Sequence, residues 1–223
     1  KIGAKTFVRF PRSIQKSNKN ILVEPHKDMM LKVFTELNIN PDRSYRLYGK
    51  TISINDYYKG TLLSSYIVAA TNESSYKNHL DIPWSIQGLS AYAPQDLHWR
   101  SINNVPMNMN DMADVLASVA FGEMAPILQA YKAGAGINKN KKNIFAHACG
   151  GAHLIQGLSA TLSRGFGKML KEQNKAKDVM KQQVVLHFYR FPKELEYYDD
   201  IIQQNPSEIK RLLLQRLKFV GHF

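Results

Sequence analysis

The stretch that decides the fold is Asn143-Ile-Phe-Ala-His147-Ala-Cys149-Gly-Gly-Ala-His153-Leu-Ile-Gln156-Gly-Leu-Ser-Ala-Thr-Leu-Ser-Arg164-Gly-Phe-Gly167. It contains the only cysteine of the chain and five of its 13 glycines. Apolar residues recur at helical spacing among Ala, Ser and Gly, which predicts a helix over residues 144–165. Small side chains allow a neighbouring backbone to approach closely. We therefore expect this helix to lie in the interior and the rest of the chain to pack around it.

The segments on either side also read as helices. Apolar residues at three- and four-residue spacing predict helices near residues 25–37, 54–70, 83–92, 110–132 and 179–191. Pro192 and Pro206 are expected to open two more, since proline is tolerated in a first helical turn. Residues 1–23 follow neither the helical nor the strand period, and no hairpin signal is evident.

The predicted fold is therefore all-α. We expect one domain over residues 1–223, with an irregular N-terminal arm at about 1–23. Successive helices rich in small residues, joined by short loops, favour a compact antiparallel multi-helix array of the α-solenoid or α/α-toroid type. The helix over 144–165 would be its buried centre.

The composition restricts the possible surroundings of the protein. With 223 residues, of which 44% are hydrophobic, the chain can bury a sizeable core. No apolar run reaches the roughly 20 residues of a membrane-spanning helix. A single cysteine excludes an internal disulfide. The chain begins with lysine, so a cleaved signal segment (periplasmic or secreted protein), a cytoplasmic protein and a fragment all remain open.

The charge favours an anionic partner. Thirty Lys and Arg against 18 Asp and Glu give a net charge of +12, and such an excess attracts nucleic acid, lipid headgroups or acidic polysaccharide. Lysines flank the central stretch on both sides, among them Lys139, Lys141, Lys142, Lys168 and Lys171. A solvated surface explains such lysines equally well, and no nucleic-acid-binding motif accompanies them.

Cys149 and His153 form the first candidate site. On a continuous helix, residues four apart lie about 40° apart, so the two side chains would share a face with Gln156. The pair is half of a zinc site, or a thiol with a neighbouring base. The simpler alternative is a small buried cysteine. We expect no cofactor, with zinc as the alternative.

Carboxylates and aromatic residues form the second candidate site. Glu123 is expected on the apolar stripe of its helix, where burial would raise the pKa of a carboxyl group. Asp96 and His98 adjoin Trp99, and acids beside aromatic rings are typical of saccharide sites. The pool of catalytic candidates is Glu123, His153, Cys149, Asp96 and His98; the candidates for ligand contact are Trp84, Trp99, Tyr92, Gly150, Gly151 and Gln156.

Three functions follow from these residues. The first is a helical structural or ligand-binding module with a pocket beside the helix over 144–165. The second is a hydrolase or lyase-like enzyme for a saccharide or peptide-type substrate, with Glu123, Asp96 and His153 as acid–base groups. The third is a basic protein that binds nucleic acid or another anionic surface. The sequence leaves open whether the protein is an enzyme.

Overall fold

The protein is mostly helical. The computed structural model describes residues 10–47, 49–68, 73–75, 81–136, 151–168 and 176–222. The helices in these segments are α1 (Met29–Glu36), α2 (Ile54–Ser64), α3 (Ile82–Tyr92), α4 (Met109–Ala133), α5 (Ala152–Ser163), α6 (Ala176–Gln204) and α7 (Ile209–Val220). Helix α3 is central, since it packs against α1, α2, α4 and α5. The core contains Leu31, Ile86, Leu89, Leu116 and Leu158.

Short antiparallel strand pairs accompany the helices, so the expectation of an all-α fold was too strict. The pairs are β1 (Ser13–Lys16) with β2 (Lys19–Leu22), β3 (Ser44–Leu47) with β4 (Lys50–Ser53), β5 (Ile67–Val68) with β6 (Glu73–Ser74), and β7 (His98–Arg100) with β8 (Pro106–Asn108). The first pair lies in the segment predicted to be an irregular arm. Ser17 and Asn18 connect its strands with φ angles of 50° and 60°. Two successive positive φ values are typical of a tight hairpin turn, here formed without glycine.

Two of the predicted helix starts are confirmed. The Ser53 hydroxyl accepts a hydrogen bond from the Asp56 N–H, and the Asp56 carboxylate accepts one from the Ser53 N–H. This reciprocal pair satisfies donors that the helix itself leaves without partners. Asn108 caps α4 by accepting from the Asp111 N–H at 2.8 Å.

Three predicted boundaries were wrong. Helix α1 begins at Met29 and not near Pro25, because Asp28 has a left-handed backbone with φ of 62°. Helix α2 ends at Ser64, since the β-branched residues Ile67 and Val68 pair with β6. Pro192 lies inside α6 and opens no new helix. Pro206 does open a short 3-10 turn that leads into α7.

The small-residue helix is buried along one face over Ala152–Ser163, whereas the central position belongs to α3. Leu154, Ile155, Leu158 and Thr161 of α5 are buried. A Cβ atom on Gly157 would lie 2.8 Å from the Cβ and 2.9 Å from the Cα of Pro83 on α3. Only glycine fits at this distance, so the absence of a side chain sets how closely α3 and α5 approach.

The predicted extent of that helix was wrong. Helix α5 begins at Ala152, and Gly151 before it has a φ of 78°. A left-handed residue interrupts an α-helix, so the helix does not run back through Gly151. The placement of Cys149 and His153 on successive turns of one helix therefore fails. Cys149 and Gly150 themselves lie outside the described residues.

Candidate functional site

Alternate helices run parallel, which gathers their first turns at one end. Trp84 near the start of α3 contacts His153 near the start of α5, and Ser90 near the end of α3 accepts a hydrogen bond from Arg164, which follows α5. Helix α1 is aligned in the same way. Its capping residue Asp28 bonds Ser85, and Ile39 beyond its end bonds Tyr92.

Two histidines contact Trp84 at this end, and a third histidine contacts one of the two. The rings of His26 and Trp84 are stacked, with centroids 4.9 Å apart and planes at 9°. The His153 ring lies 4.2 Å from Trp84, and the His222 ring lies 4.9 Å from His153 at a steep angle. The ammonium of Lys32 lies 5.2 Å from the Trp84 ring centroid. We call His26, Lys32, Trp84, His153 and His222 the histidine–tryptophan cluster.

A buried glutamate holds the chain just before His26. The Glu24 carboxylate accepts a hydrogen bond from the Met30 N–H at 2.9 Å and from the Tyr57 hydroxyl at 2.6 Å. On the other side of His26, the Lys27 ammonium donates to the carbonyl of Ser64 and to two serine hydroxyls. These contacts fix the segment that carries the His26 ring.

Asp28 is the second buried carboxylate in this segment. It is 1% exposed, and it accepts hydrogen bonds from the hydroxyls of Thr61 at 2.9 Å and Ser85 at 2.5 Å. Its left-handed backbone is uncommon for a residue other than glycine, and such a conformation persists only where the surroundings enforce it. The five-residue segment around His26 therefore contains two buried carboxylates, and one of the two residues that carry them, Asp28, also has a strained backbone.

His26 forms a pair with Asp81, the residue before α3. Nδ1 of His26 lies 3.1 Å from Oδ1 of Asp81. A carboxylate at this distance orients the imidazole and favours the tautomer with the proton on Nδ1. The other ring nitrogen, Nε2, diverges from Asp81. Because the His26 side chain is 46% exposed, a small molecule can reach it.

His153 is held neutral at physiological pH. Burial and, to a smaller extent, the neighbouring His222, Lys32 and His26 lower its pKa to about 4, although a hydrogen bond with Gln156 acts in the opposite direction. A neutral imidazole has one donor and one acceptor nitrogen. The cluster therefore places an uncharged proton donor and acceptor beside Trp84.

An ion pair between the buried Lys32 and the exposed Glu36 lies beside Trp84. Glu36 accepts from the Lys32 ammonium at 2.8 Å and from the side-chain amides of Gln87 at 3.1 Å and Gln156 at 3.0 Å. A charge removed from water needs such partners. Because one carboxylate ties together α1, α3 and α5, it also fixes the relative positions of the three helices that carry the site.

The sequence candidates are distributed over several places. His153, Trp84 and Gln156 come together in the cluster. Tyr92 lies at the other end of α3, where its hydroxyl donates to the Ile39 carbonyl and its ring meets Tyr58 edge-on. Burial raises the pKa of Tyr92, which suits a packing role.

Three other sequence candidates lie in or just before the hairpin of β7 and β8. Asp96 precedes it and is exposed, whereas Trp99 donates from Nε1 to the Leu62 carbonyl at 2.9 Å. A hollow of about 420 Å³ lies beside the hairpin, lined by His98, Trp99, Arg100, Pro106, Met107, Asn108 and Asp111. None of the residues that line this hollow belongs to the histidine–tryptophan cluster.

Glu123 is half-buried on α4. The buried face of that helix passes through Leu116, Ala120, Met124 and Ile127, so Met124 and not Glu123 occupies the stripe. Of the predicted anionic-partner lysines, Lys168 is exposed. Lys139, Lys141, Lys142 and Lys171 lie outside the described residues, as do Cys149 and Gly150. Gly151 caps α5.

Neither a metal centre nor a membrane span is found in the described parts of the chain. Within those segments, no three His, Cys, Asp or Glu side chains are placed to hold a metal ion. Among the helices of the same segments, none combines the length and apolarity needed to cross a bilayer.

Sequence reasoning missed His26, Lys32, Asp81 and His222. The available signal was Glu24-Pro-His26-Lys-Asp28, in which two carboxylates bracket a histidine just before a helix. No family model matches this sequence, and no curated protein or solved structure has significant similarity to it.

Proposed function

We propose that the histidine–tryptophan cluster is the active site of an acid–base enzyme of the hydrolase or lyase class, acting on a small organic substrate. The observation that carries the proposal is the His26–Asp81 pair, held at 3.1 Å in a segment fixed by buried carboxylates. A histidine oriented by a carboxylate is the commonest general base in enzymes.

Each residue of the site would have its own role in catalysis. His26 takes the proton of the substrate or of a water molecule at Nε2, and Asp81 stabilises the imidazolium that results. The imidazolium of His26 then returns the proton to the substrate or to the leaving group, while the neutral His153 hydrogen-bonds the substrate. Trp84 is 7% exposed and contacts the ring of His26 as well as that of His153, so it supports the histidines more than it offers a surface to the substrate.

The proposal also includes the arrangement of the helices. Helices α1, α3 and α5 run parallel and alternate in the sequence with α2 and α4. This order is typical of one domain built as an α/α toroid, in which successive helices are antiparallel and alternate helices form one layer. The first turns of one layer would then meet at the site.

The test is turnover with matched histidine variants. The wild type is assayed against panels of chromogenic esters, glycosides and phosphate esters, together with His26→Asn and Asp81→Asn. We expect His26→Asn and Asp81→Asn to lower the rate by about 100-fold or more, the usual contribution of general acid–base catalysis. His98→Asn, outside the cluster, serves as the control and is expected to retain full activity. Equal activity in all variants would refute the assignment.

A ligand-binding module without catalysis is the second candidate. It is favoured by the rigidity of the cluster, in which stacked rings and the Lys32–Glu36 pair leave little freedom to move. The two candidates separate in one measurement. A compound that raises the melting temperature of the wild type and not of His26→Asn, yet is recovered unchanged after long incubation, indicates binding alone.

A further inference from the structure

The inner face of α7 already supplies the contacts that hold this helix to the protein. Leu212 and Phe219 are buried. The Phe219 ring stacks on Phe191 of α6 at 5.7 Å. Nε of Arg216 lies 3.1 Å from the Asp199 carboxylate, also on α6. Helix α7 therefore needs no further partner in order to pack.

A second apolar face of α7 points to solvent. Its members are between 40% and 67% exposed, and they are Ile209, Leu213, Leu217 and Val220. At 100° per residue these four positions fall within an arc of about 80°, so they form one continuous stripe. Single exposed apolar residues are ordinary, whereas a contiguous set marks a contact surface. We call these four residues the outer stripe.

The charge on α7 has one sign. The helix contains Lys210, Arg211, Arg216 and Lys218 and no acidic residue. Arg211 is paired with Glu208, and Arg216 with Asp199. At 100° per residue, Lys210 lies at one edge of the outer stripe and Arg216 at the other, each about 60° from its centre. Lys218 and the exposed Leu214 lie farther round the helix. An apolar stripe bordered by basic residues is complementary to an apolar surface bordered by anions.

We propose that α7 docks through the outer stripe in the plane of an anionic lipid surface. The stripe is convex and offers no groove for a partner helix, whereas lipid adapts to a convex face. The 12 residues of α7 span only about 18 Å, short of the roughly 30 Å of a bilayer core. A helix of this kind therefore lies in the interface, with its apolar residues among the acyl chains and with Lys210 and Arg216 at the headgroups.

A second copy of the chain fits this surface less well. Two α7 helices packed stripe to stripe would bring the lysines of one copy near the basic residues of the other. No acidic residue on α7 could compensate, and like charges in contact oppose association.

Co-sedimentation with vesicles tests the proposal. Purified full-length protein is mixed with vesicles of phosphatidylcholine alone or of phosphatidylcholine with phosphatidylglycerol. We expect binding to the anionic vesicles only, weakening as salt is added. Leu213→Ser/Leu217→Ser and, separately, Lys210→Glu are each expected to lower the partition coefficient by about tenfold or more.

Controls separate docking from misfolding and from general basicity. Leu22→Ser/Leu37→Ser removes two equally exposed leucines elsewhere and should bind like the wild type. Melting temperatures show that each variant is folded. Binding that survives the Leu213→Ser/Leu217→Ser change would overturn the proposal. So would a dimer in light scattering that this change dissociates, because a second copy then covers the stripe. Failure to bind either kind of vesicle would also overturn it.

Discussion

The histidine–tryptophan cluster and α7 break the usual distribution of polar and apolar groups in opposite ways. Lys32 in the cluster, and Glu24 and Asp28 in the segment that carries His26, are buried, and each is hydrogen-bonded or ion-paired. On α7, Leu213 and Leu217 are exposed although the helix is packed through its other face. Buried charges cost free energy and exposed leucines gain none, so neither arrangement is explained by folding alone.

The two regions meet at one residue. His222 follows α7 directly, and its ring contacts His153 in the cluster. Its Nδ1 donates to the carbonyl of Lys218, which anchors it to the last turn of α7. The cluster and the outer stripe of α7 are therefore two different regions that are connected at the end of α7.

The rigidity of the interior region is tested most severely at Gly157. Gly157→Val would place a branched side chain within about 3 Å of the Pro83 backbone. Forced overpacking usually costs 1–3 kcal/mol, and here the obstacle is backbone, so we expect a loss of about 3 kcal/mol or more. Urea unfolding followed by circular dichroism measures it.

Gly122 provides the matched control on α4. No atom lies within 4 Å of a Cβ built there. Gly122→Ala should stabilise the protein by about 0.5–1 kcal/mol, the ordinary helix preference of alanine over glycine. An equal loss at both glycines would mean that the close approach of α3 and α5 is unimportant.

Asp28 tests whether the buried carboxylates hold the site. Asp28→Ala leaves the hydroxyls of Thr61 and Ser85 without their acceptor and places alanine in a left-handed conformation. We expect a loss of about 2–3 kcal/mol in unfolding free energy. Asp28→Asn keeps an acceptor and tolerates the backbone, so it should lose less. If the alanine variant is as stable as the wild type, the segment around His26 is not held in the way described.

The interior region was partly predictable from the sequence. The small-residue helix, the burial of one of its faces and the nearness of Gln156 to His153 follow from local spacing and glycine content. Trp84 was predicted only as a candidate for ligand contact, and its contact with His153 was not predicted. Local spacing also gave the starts of α2 and α4, which were expected near residues 54 and 110. Such features depend on residues close together in the chain.

The rest depends on distant residues. His26 reaches Asp81, 55 positions later, and Gln156 reaches Glu36 across 120 positions. No local period encodes such contacts, so the cluster was missed although His153 was named. The break at Gly151 was missed for another reason: glycine permits both helical and left-handed backbone, and spacing alone does not choose between them.

The pH dependence of stability reports on the burial of His153. Its pKa is about 4 in the folded protein and near 6.5 when unfolded. Between these values the unfolded chain takes up a proton that the folded protein does not. Stability from this group is therefore complete above pH 6.5 and declines as the pH falls towards 4. Allowing for its partial exposure, we expect a loss of about 1 kcal/mol.

Comparison with His153→Gln isolates this effect, since burial also lowers the pKa of His187 to about 4 and adds its own decline. The variant should lose less stability than the wild type between pH 6.5 and 4, when unfolding by urea is measured at each pH. His98→Gln, which changes an exposed histidine, should follow the wild type. Identical curves for all three proteins would place His153 in water and not beside Trp84.

The smallest effect is expected on the outward face, and a pair of leucines on one helix measures it. Leu217→Ala removes apolar atoms that already contact water, so the unfolding free energy should change by less than about 0.5 kcal/mol. Leu212→Ala makes the same chemical change on the inner face and should cost about 2–3 kcal/mol. Similar losses at both positions would show that the outer stripe is covered within the protein itself, and the contrast between a packed interior and a face kept free for a partner would no longer hold.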